Sequence, residues 1–186
     1  MQANTMRLEK ADDRFAVRSS AVGEDSEDTS AAGQNATYLG LRGIDNVIKA
    51  VAKCWGSLYA FQSVEYRRQR GQPIIAQMGV CVQQMVNAEA AGVMFTRHPT
   101  SGDPRQILIT ANYGLGESVV SAMIEPDTVI IQRSWQNALA IKDVKLGKKT
   151  HKISMTLDEG TITEELKDSQ NKEICISEEV ALRLSE

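Results

Sequence analysis

The sequence has few cysteines, no membrane-length apolar run and no secretory leader. Its three cysteines, Cys54, Cys81 and Cys175, lie far apart and form no CxxC pair. This spacing disfavours a disulfide framework or a zinc site, so we expect reduced, buried thiols. No stretch approaches the roughly 20 apolar residues of a membrane span, and the N-terminus lacks an apolar signal core. These absences predict a cytoplasmic chain without a membrane anchor.

A concentrated basic surface is also missing. The 186 residues carry 21 Lys and Arg against 24 Asp and Glu, a formal net charge of -3, which excludes a typical nucleic-acid surface. The densest basic run, "YRRQRG", spans one helical turn and is explained by the dipole of a helix that ends there. The remaining composition is that of a globular chain, and it predicts one sizeable core or part of a larger domain.

The first half of the chain predicts strand, loop, strand and then a long helix. Residues 14–19 read as a strand, 20–36 as a loop and 37–41 as a returning strand. From residue 44 onward, apolar residues recur at intervals of three and four, which predicts a helix ending at Gly71. The same period assigns Trp55 and Tyr59 to its buried face.

The second half changes to a period of two. Strands are expected in "IIAQMGVCVQQMV", "AAGVMFTRHP", "QILITANYG" and "DTVIIQR", and a short helix in "GLGESVVSAM". A hairpin is expected around Leu146-Gly147. The tail is polar until Ser177, an N-cap candidate for a last helix. The predicted fold class is α+β, a largely antiparallel sheet with one long covering helix.

The loop after the first strand has the parts of a phosphate-covering loop. Arg18 stands at the strand end, and hydroxyls, small residues and Gly33 follow it. An arginine grips phosphate oxygens bidentately, and small residues let backbone N–H groups approach them. The spacing is neither a Walker loop nor a Rossmann fingerprint. On pattern alone, a surface turn with Arg18 in a structural ion pair is the simpler interpretation.

Longer motifs favour the phosphate interpretation. The stretch "FAVRSSAVGEDSEDTSAAGQNATYLG" resembles the signature of the nucleotide-binding domain of the phosphoenolpyruvate synthase, pyruvate phosphate dikinase and rifampicin phosphotransferase family. The resemblance continues, in the family's order, through "AVAKCWGSLYAFQSVEYRRQRG", "VCVQQMVNAEAAGVMFTRHPTSGD" and "NYGLGESVVSAMIEPDTVII". It is strongest over residues 15–133. It implies an ATP-grasp fold, incomplete at both ends, with residues 1–14 as an N-terminal extension and 15–186 as a partial nucleotide-binding domain.

The resemblance also implies the ligands and the site. It implies that Arg18 contacts ATP phosphates, that Gly33 and Thr37 lie where the loop meets the nucleotide, and that Gln83 lines the adenine pocket. Gln84 is the alternative, since strand alternation places only one of the two in the pocket. In this family phosphate passes from ATP, with Mg²⁺, to a histidine on a separate mobile domain and then to an acceptor such as pyruvate.

Several family elements are not recognisable in this chain. The resemblance implies that a triphosphate-gripping lysine, the magnesium ligands and the phosphohistidine domain lie outside it, so we expect no catalytic or metal-binding residue within it. His98 is expected to be a loop residue and His151 an exposed strand residue. The acidic run of residues 24–28 is expected to face solvent, because bare carboxylates repel a triphosphate. The family's reaction therefore does not follow for this chain alone, and a truncated nucleotide-binding or scaffold module without catalytic activity is the alternative.

Overall fold

The computed structural model describes residues 13–21, 25–26, 29–30 and 36–186, and the chain divides into two compact units. The first unit comprises Met1–Val86 and Thr156–Gly160, and the second comprises Asn87–Met155 and Thr161–Glu186. The predicted α+β class with largely antiparallel sheets is confirmed. No helix within the described residues has the length and apolarity needed to cross a membrane.

The first unit is a three-stranded antiparallel sheet with one helix packed on one face. Its elements, in chain order, are β1 (Phe15–Ala21), β2 (Asp25–Ser26), β3 (Thr29–Ser30), β4 (Thr37–Leu41), α1 (Ile44–Ser57), α2 (Phe61–Gln69) and β5 (Met78–Gln84). The sheet has the order β4-β1-β5, and β2 and β3 form a separate small pair.

The core of this unit lies between the sheet and α1. Phe15 and Val17 of β1 pack against Val47, Ala50 and Cys54 of α1, and all five are buried. The alternation of β1 and the helical period of α1 each supply one apolar face, and burying these two faces against each other stabilises the unit.

The predicted long helix is present but bent. Residues 58–60 separate α1 from α2, since Ala60 has an extended backbone with ψ of 146°. The guanidinium of Arg67 donates to the carbonyl oxygens of Leu58 and Ile74, which holds the bend. Gly71, at φ of +64°, follows the last turn of α2, as its left-handed conformation favours.

The assignment of Trp55 and Tyr59 to the core was wrong. Their exposed fractions are 53% and 61%. The apolar period of α1 is broader than the face that a three-stranded sheet covers, so the residues beyond the contact line stay exposed. The prediction of buried thiols was wrong for Cys81, which is exposed on β5, whereas Cys54 is buried.

The second unit is a four-stranded antiparallel sheet, whose strands lie side by side in chain order, with a separate two-stranded hairpin. Ala181 of its last helix is buried against Ile107, Ile109, Val129 and Ile131 of the sheet. That helix begins where expected, because Ser177 Oγ accepts from Val180 N at 3.2 Å. Its elements are β6 (Ala90–Phe95), β7 (Gln106–Tyr113), α3 (Glu117–Val120), β8 (Asp127–Arg133), β9 (Leu139–Lys145), β10 (His151–Met155), β11 (Thr161–Glu165), α4 (Asp168–Asn171) and α5 (Glu178–Leu184).

The hairpin predicted around Leu146-Gly147 is not formed. Strand β9 pairs with β8, and β10 pairs with β11. Strand β11 was not predicted, because it lies in the polar tail. Gly147 instead lies against the backbone of residues 125 and 126. A Cβ there would stand 2.2 Å from Glu125 O, so the site admits only glycine without a backbone shift.

A buried ion pair explains why the chain turns inward after Gly147. Lys149 and Asp127 are both fully buried, and Lys149 Nζ donates to Asp127 Oδ1 and, at 2.8 Å, to Glu173 O. Asp127 also accepts from Gly147 N at 2.9 Å and from Cys175 N at 2.7 Å. Both charges therefore have partners, and the cluster holds two segments, residues 147–149 and 173–175, against the start of β8.

The short segment Thr156–Gly160 belongs to the first unit, although it follows β10 and precedes β11. Arg14 Nη2 donates to Leu157 O at 2.6 Å, and Gly160 N donates to Gly40 O at 3.0 Å. Gly40 has φ of +71°, and a Cβ there would lie 2.4 Å from Gly160 O. The segment is therefore held by backbone contacts that a larger residue at position 40 would prevent.

Candidate functional site

Strand β1 presents opposite properties on its two faces. Phe15 and Val17 are buried toward α1, whereas Arg18 and Ser20 are exposed on the other side. Side chains alternate along a strand, so the covering helix occupies one face and leaves the arginine on the other. The position of Arg18 is thus a consequence of the apolar alternation that builds the core.

The strand register brings three of the predicted site residues onto that open face. Arg18 stands opposite Thr37 on β4 and opposite Cys81 on β5, while Gln83 is paired with Ala16. Directly opposed residues, and residues two positions apart, share a face. We call this surface the Arg18 face, and its members are Ala16, Arg18, Ser20, Thr37, Gly79, Cys81 and Gln83.

The register separates Gln83 from its neighbour. Gln84 is paired with Phe15, of the opposite parity, and its Nε2 donates to Asp13 Oδ1 at 2.9 Å. Gln83 is exposed and on the same face as Arg18. Of the two alternatives left open by the sequence, Gln83 has the position that a shared site with Arg18 requires.

The electrostatics of the Arg18 face suit an anion. Arg18 is its only charged member, and no described carboxylate forms an ion pair with the guanidinium. Its other members are small or neutral, so they leave room around the guanidinium. An arginine that has no ion pair with the described carboxylates, beside a hydroxyl, can make charge-assisted, bidentate hydrogen bonds to phosphate oxygens.

The loop after β1 leaves and returns beside Arg18. Ser19 N donates to Ala36 O at 3.4 Å, and Ala36 N donates to Ser57 Oγ at 3.3 Å. The two ends of the loop therefore meet next to the arginine. Gly33, and the side chains of the acidic run at residues 24–28, lie outside the described residues.

The two histidines lie elsewhere, in the second unit. His98 is in the loop after β6, where its Nδ1 accepts from Thr100 N and Ser101 N, each at 3.3 Å. It thus organises a turn, as a loop residue does. His151 opens β10, half-buried rather than exposed, with Nδ1 2.9 Å from Thr150 Oγ1. The described residues contain no group of three or more His, Cys, Asp or Glu that could hold a metal ion.

Two features were missed from the sequence. Cys81 was assigned to the interior, although its parity with Gln83 in "MGVCVQQ" places both on one face. The Asp127–Lys149 pair gave no local signal, because its members are 22 residues apart. The cluster has a chemical effect on Cys175: burial, and then its hydrogen bond to Asp127, raise the pKa of the thiol to about 12.

The fold is an α+β module in which one strand surface carries an exposed arginine. Comparison with protein families matches residues 2–186 to the pyruvate phosphate dikinase AMP/ATP-binding domain. The chain belongs to this family, and the resemblance found in the sequence is confirmed.

The names of similar proteins support the assignment to this family. A probable phosphoenolpyruvate synthase of Archaeoglobus fulgidus is 43% identical over 166 residues, which are 88% of this chain and 21% of the relative. A phosphoenolpyruvate synthase of Pyrococcus furiosus is 42% identical over 136 residues, 72% of this chain and 16% of the relative. An uncharacterized phosphotransferase of Bacillus subtilis is 33% identical over 175 residues, 92% of this chain and 20% of the relative. The chain thus spans about a fifth of the length of such relatives.

Proposed function

We propose that this chain binds ATP on the Arg18 face, as the nucleotide-binding part of a phosphoenolpyruvate synthase-like phosphotransferase. The observation that carries the proposal is the convergence of Arg18, Thr37 and Gln83 on one open face, where Arg18 is the only charged side chain among the described residues. Membership of an AMP/ATP-binding domain family supports a nucleotide as the anion.

Each residue has a role that its chemistry suits. Arg18 holds phosphate oxygens, and Thr37, directly opposite it, offers a hydroxyl to the same group. Gly33 lets the loop backbone approach the phosphates closely. Gln83, five residues along the β5 strand from Met78, hydrogen-bonds the adenine edge with its amide. Hydroxyl, amide and guanidinium together match a ligand with a polar ring and an anionic tail.

The phosphoryl transfer itself needs groups beyond these. When bound, Mg²⁺ supplies neutralisation of the triphosphate, and we place its ligands outside this chain. The transfer to a histidine of a separate domain, and then to an acceptor such as pyruvate, belongs to the whole phosphotransferase, in the cytoplasm. The role of this chain is to bind the nucleotide and orient its phosphates.

Isothermal titration of the full chain with MgATP tests the phosphate role. The Arg18→Ala variant removes charge-assisted hydrogen bonds worth about 1.5–3 kcal/mol, so its Kd should rise by about 10- to 150-fold. The matched control is Arg68→Ala, an exposed arginine of α2 whose ion pair with Glu65 is long, at 3.9 Å. Equal affinity of wild type and Arg18→Ala, or no binding by the wild type, would refute the proposal.

Comparison of ATP with inorganic triphosphate tests the adenine role. Gln83→Ala should weaken ATP binding by about 2- to 10-fold, the worth of one neutral hydrogen bond, and leave triphosphate binding unchanged. Gln84→Ala is the control, because this side chain is bonded to Asp13. A loss of ATP affinity in Gln84→Ala alone would move the adenine contact to the other glutamine.

A nucleotide-binding or scaffold module without its own catalysis is the second candidate. Two observations favour it. The chain spans only about a fifth of the length of its relatives, and the described residues contain no cluster of side chains that could hold a metal ion. Both candidates predict that the purified chain releases no phosphate from MgATP, so turnover that Arg18→Ala abolishes would contradict both. The titration with MgATP separates a scaffold from a nucleotide-binding part, because a scaffold that does not bind nucleotide gives no binding signal in wild type or in Arg18→Ala.

A further inference from the structure

Helix α1 carries a second apolar surface that nothing in the described structure covers. Ile44, Ile48, Trp55 and Tyr59 are 52%, 58%, 53% and 61% exposed. Their spacings of four, seven and four residues place them along one side of the helix and its last tight turn. We call these four residues the α1 stripe.

The α1 stripe is distinct from the face of α1 that forms the core. Val47, Ala50 and Cys54 face the sheet, and Lys49 and Lys53 are exposed. Lys53 leans toward β4, with Nζ 5.6 Å from the Tyr38 ring. Two aromatic and two aliphatic side chains are therefore exposed along the same side of one helix, and such an alignment marks an interaction surface rather than scattered exposed residues.

The order of the residues makes the α1 stripe complementary to itself. The midpoint between Ile44 and Tyr59, and that between Ile48 and Trp55, both fall between residues 51 and 52. An antiparallel second copy would therefore set each isoleucine against an aromatic ring. Ala52, exposed and small, lies at the centre, where two helices must approach most closely. Such matching is the requirement of an isologous twofold interface.

We propose that the chain forms a twofold dimer through antiparallel packing of two α1 stripes, with the axis beside Ala52. The half-exposed aromatics and isoleucines offer on the order of 1,000 Å² of apolar surface in total, at the lower limit of specific interfaces. The dimer is accordingly weak and reversible. This proposal is independent of ATP binding, since the α1 stripe and the Arg18 face are formed by different elements.

Sedimentation velocity of the full chain, from about 1 to about 300 µM, tests the dimer. The wild type should shift with concentration from 20.4 kDa toward twice that mass. Trp55→Glu should raise the dissociation constant by about tenfold or more, because a central buried aromatic dominates small interfaces. The matched control is Trp135→Glu, a tryptophan that is 89% exposed in the turn after β8. It should leave the constant unchanged.

Cross-linking tests the geometry. In a Cys81→Ser background, Ala52→Cys should form a disulfide-linked dimer under mild oxidation, since the two thiols meet at the axis. Ala60→Cys, exposed at the end of the α1 stripe, should not, because its counterpart lies at the opposite end. Circular dichroism checks that every variant is folded. A monomer at all concentrations, equal effects of the two tryptophan variants, or equal cross-linking at positions 52 and 60 would overturn the proposal.

Discussion

Replacing Lys149 by methionine should unfold the second unit more readily, because it strands a buried carboxylate. Lys149 and Asp127 are fully buried and bonded to each other. Methionine keeps the apolar stem and removes the charge, so the loss reports on the pair rather than on packing. Asp127 would retain its bonds from Gly147 N and Cys175 N, which soften the penalty.

The expected loss in the free energy of unfolding follows from the burial of both charges. Breaking one partner of a buried ion pair costs about 3–5 kcal/mol, and the two remaining backbone donors place Lys149→Met near the lower value. Asp127→Asn should lower the free energy of unfolding further. The amide has one acceptor oxygen where the carboxylate has two, so it cannot accept from Gly147 N, Cys175 N and the Lys149 ammonium together. For a chain of this size, such losses lower Tm by about 6–20 °C.

Urea unfolding followed by circular dichroism measures the change. The matched control is Lys145→Met, which removes an ion pair at the surface. Lys145 Nζ lies 2.8 Å from Glu125 Oε1, and the two side chains are 66% and 45% exposed. This control variant should cost less than about 1 kcal/mol. The double variant Asp127→Asn/Lys149→Met should lose less than the two single losses combined. The reasoning is refuted if Lys149→Met and Lys145→Met have the same unfolding free energy.

Other predictions concern thiols and glycines. The raised pKa of Cys175, about 12 against 9.0, means that the unfolded thiol ionises first, so the free energy of unfolding should fall as pH rises from about 9 to 12. Cys175→Ser should flatten that fall, and an unchanged slope in equilibrium unfolding would contradict the assignment. Gly147→Ala should destabilise by about 1–3 kcal/mol, because its Cβ would press on Glu125 O, whereas Gly56→Ala, with open space around it in α1, should stabilise by about 0.5–1 kcal/mol. Thermal melts that rank the two alanine variants in the reverse order would show that Gly147 is not a close-approach site.

Local patterns predicted the elements whose causes are local. The alternation of β1 and β5, the helical period after residue 44 and the N-cap at Ser177 are each a property of a few neighbouring residues, and the structure forms all of them. The same alternation contains the information that Gln83 and Cys81 share a face. The pairing that brings Arg18 beside them depends on register, which no single strand specifies.

The misassignments have tertiary causes. Trp55 follows the helical period as well as Cys54 does, but the width of the sheet beneath α1 decides which of them is covered. Gly147 has the appearance of a turn residue, and its actual reason is the approach of a distant backbone. Lys149 resembles a surface lysine in "KLGKK" until Asp127, 22 residues earlier, is placed beside it. Such contacts exist only once the chain has folded.

The placement of Thr156–Gly160 in the first unit means that the polypeptide passes between the units three times, after residues 86, 155 and 160. The two units therefore cannot be obtained by dividing the gene at one point. A protease that cut once beside Val86 would leave Gly160 on one fragment and its hydrogen-bond partner Gly40 on the other. The nicked halves should consequently copurify and separate only under denaturing conditions, which makes this chain a natural candidate for fragment complementation.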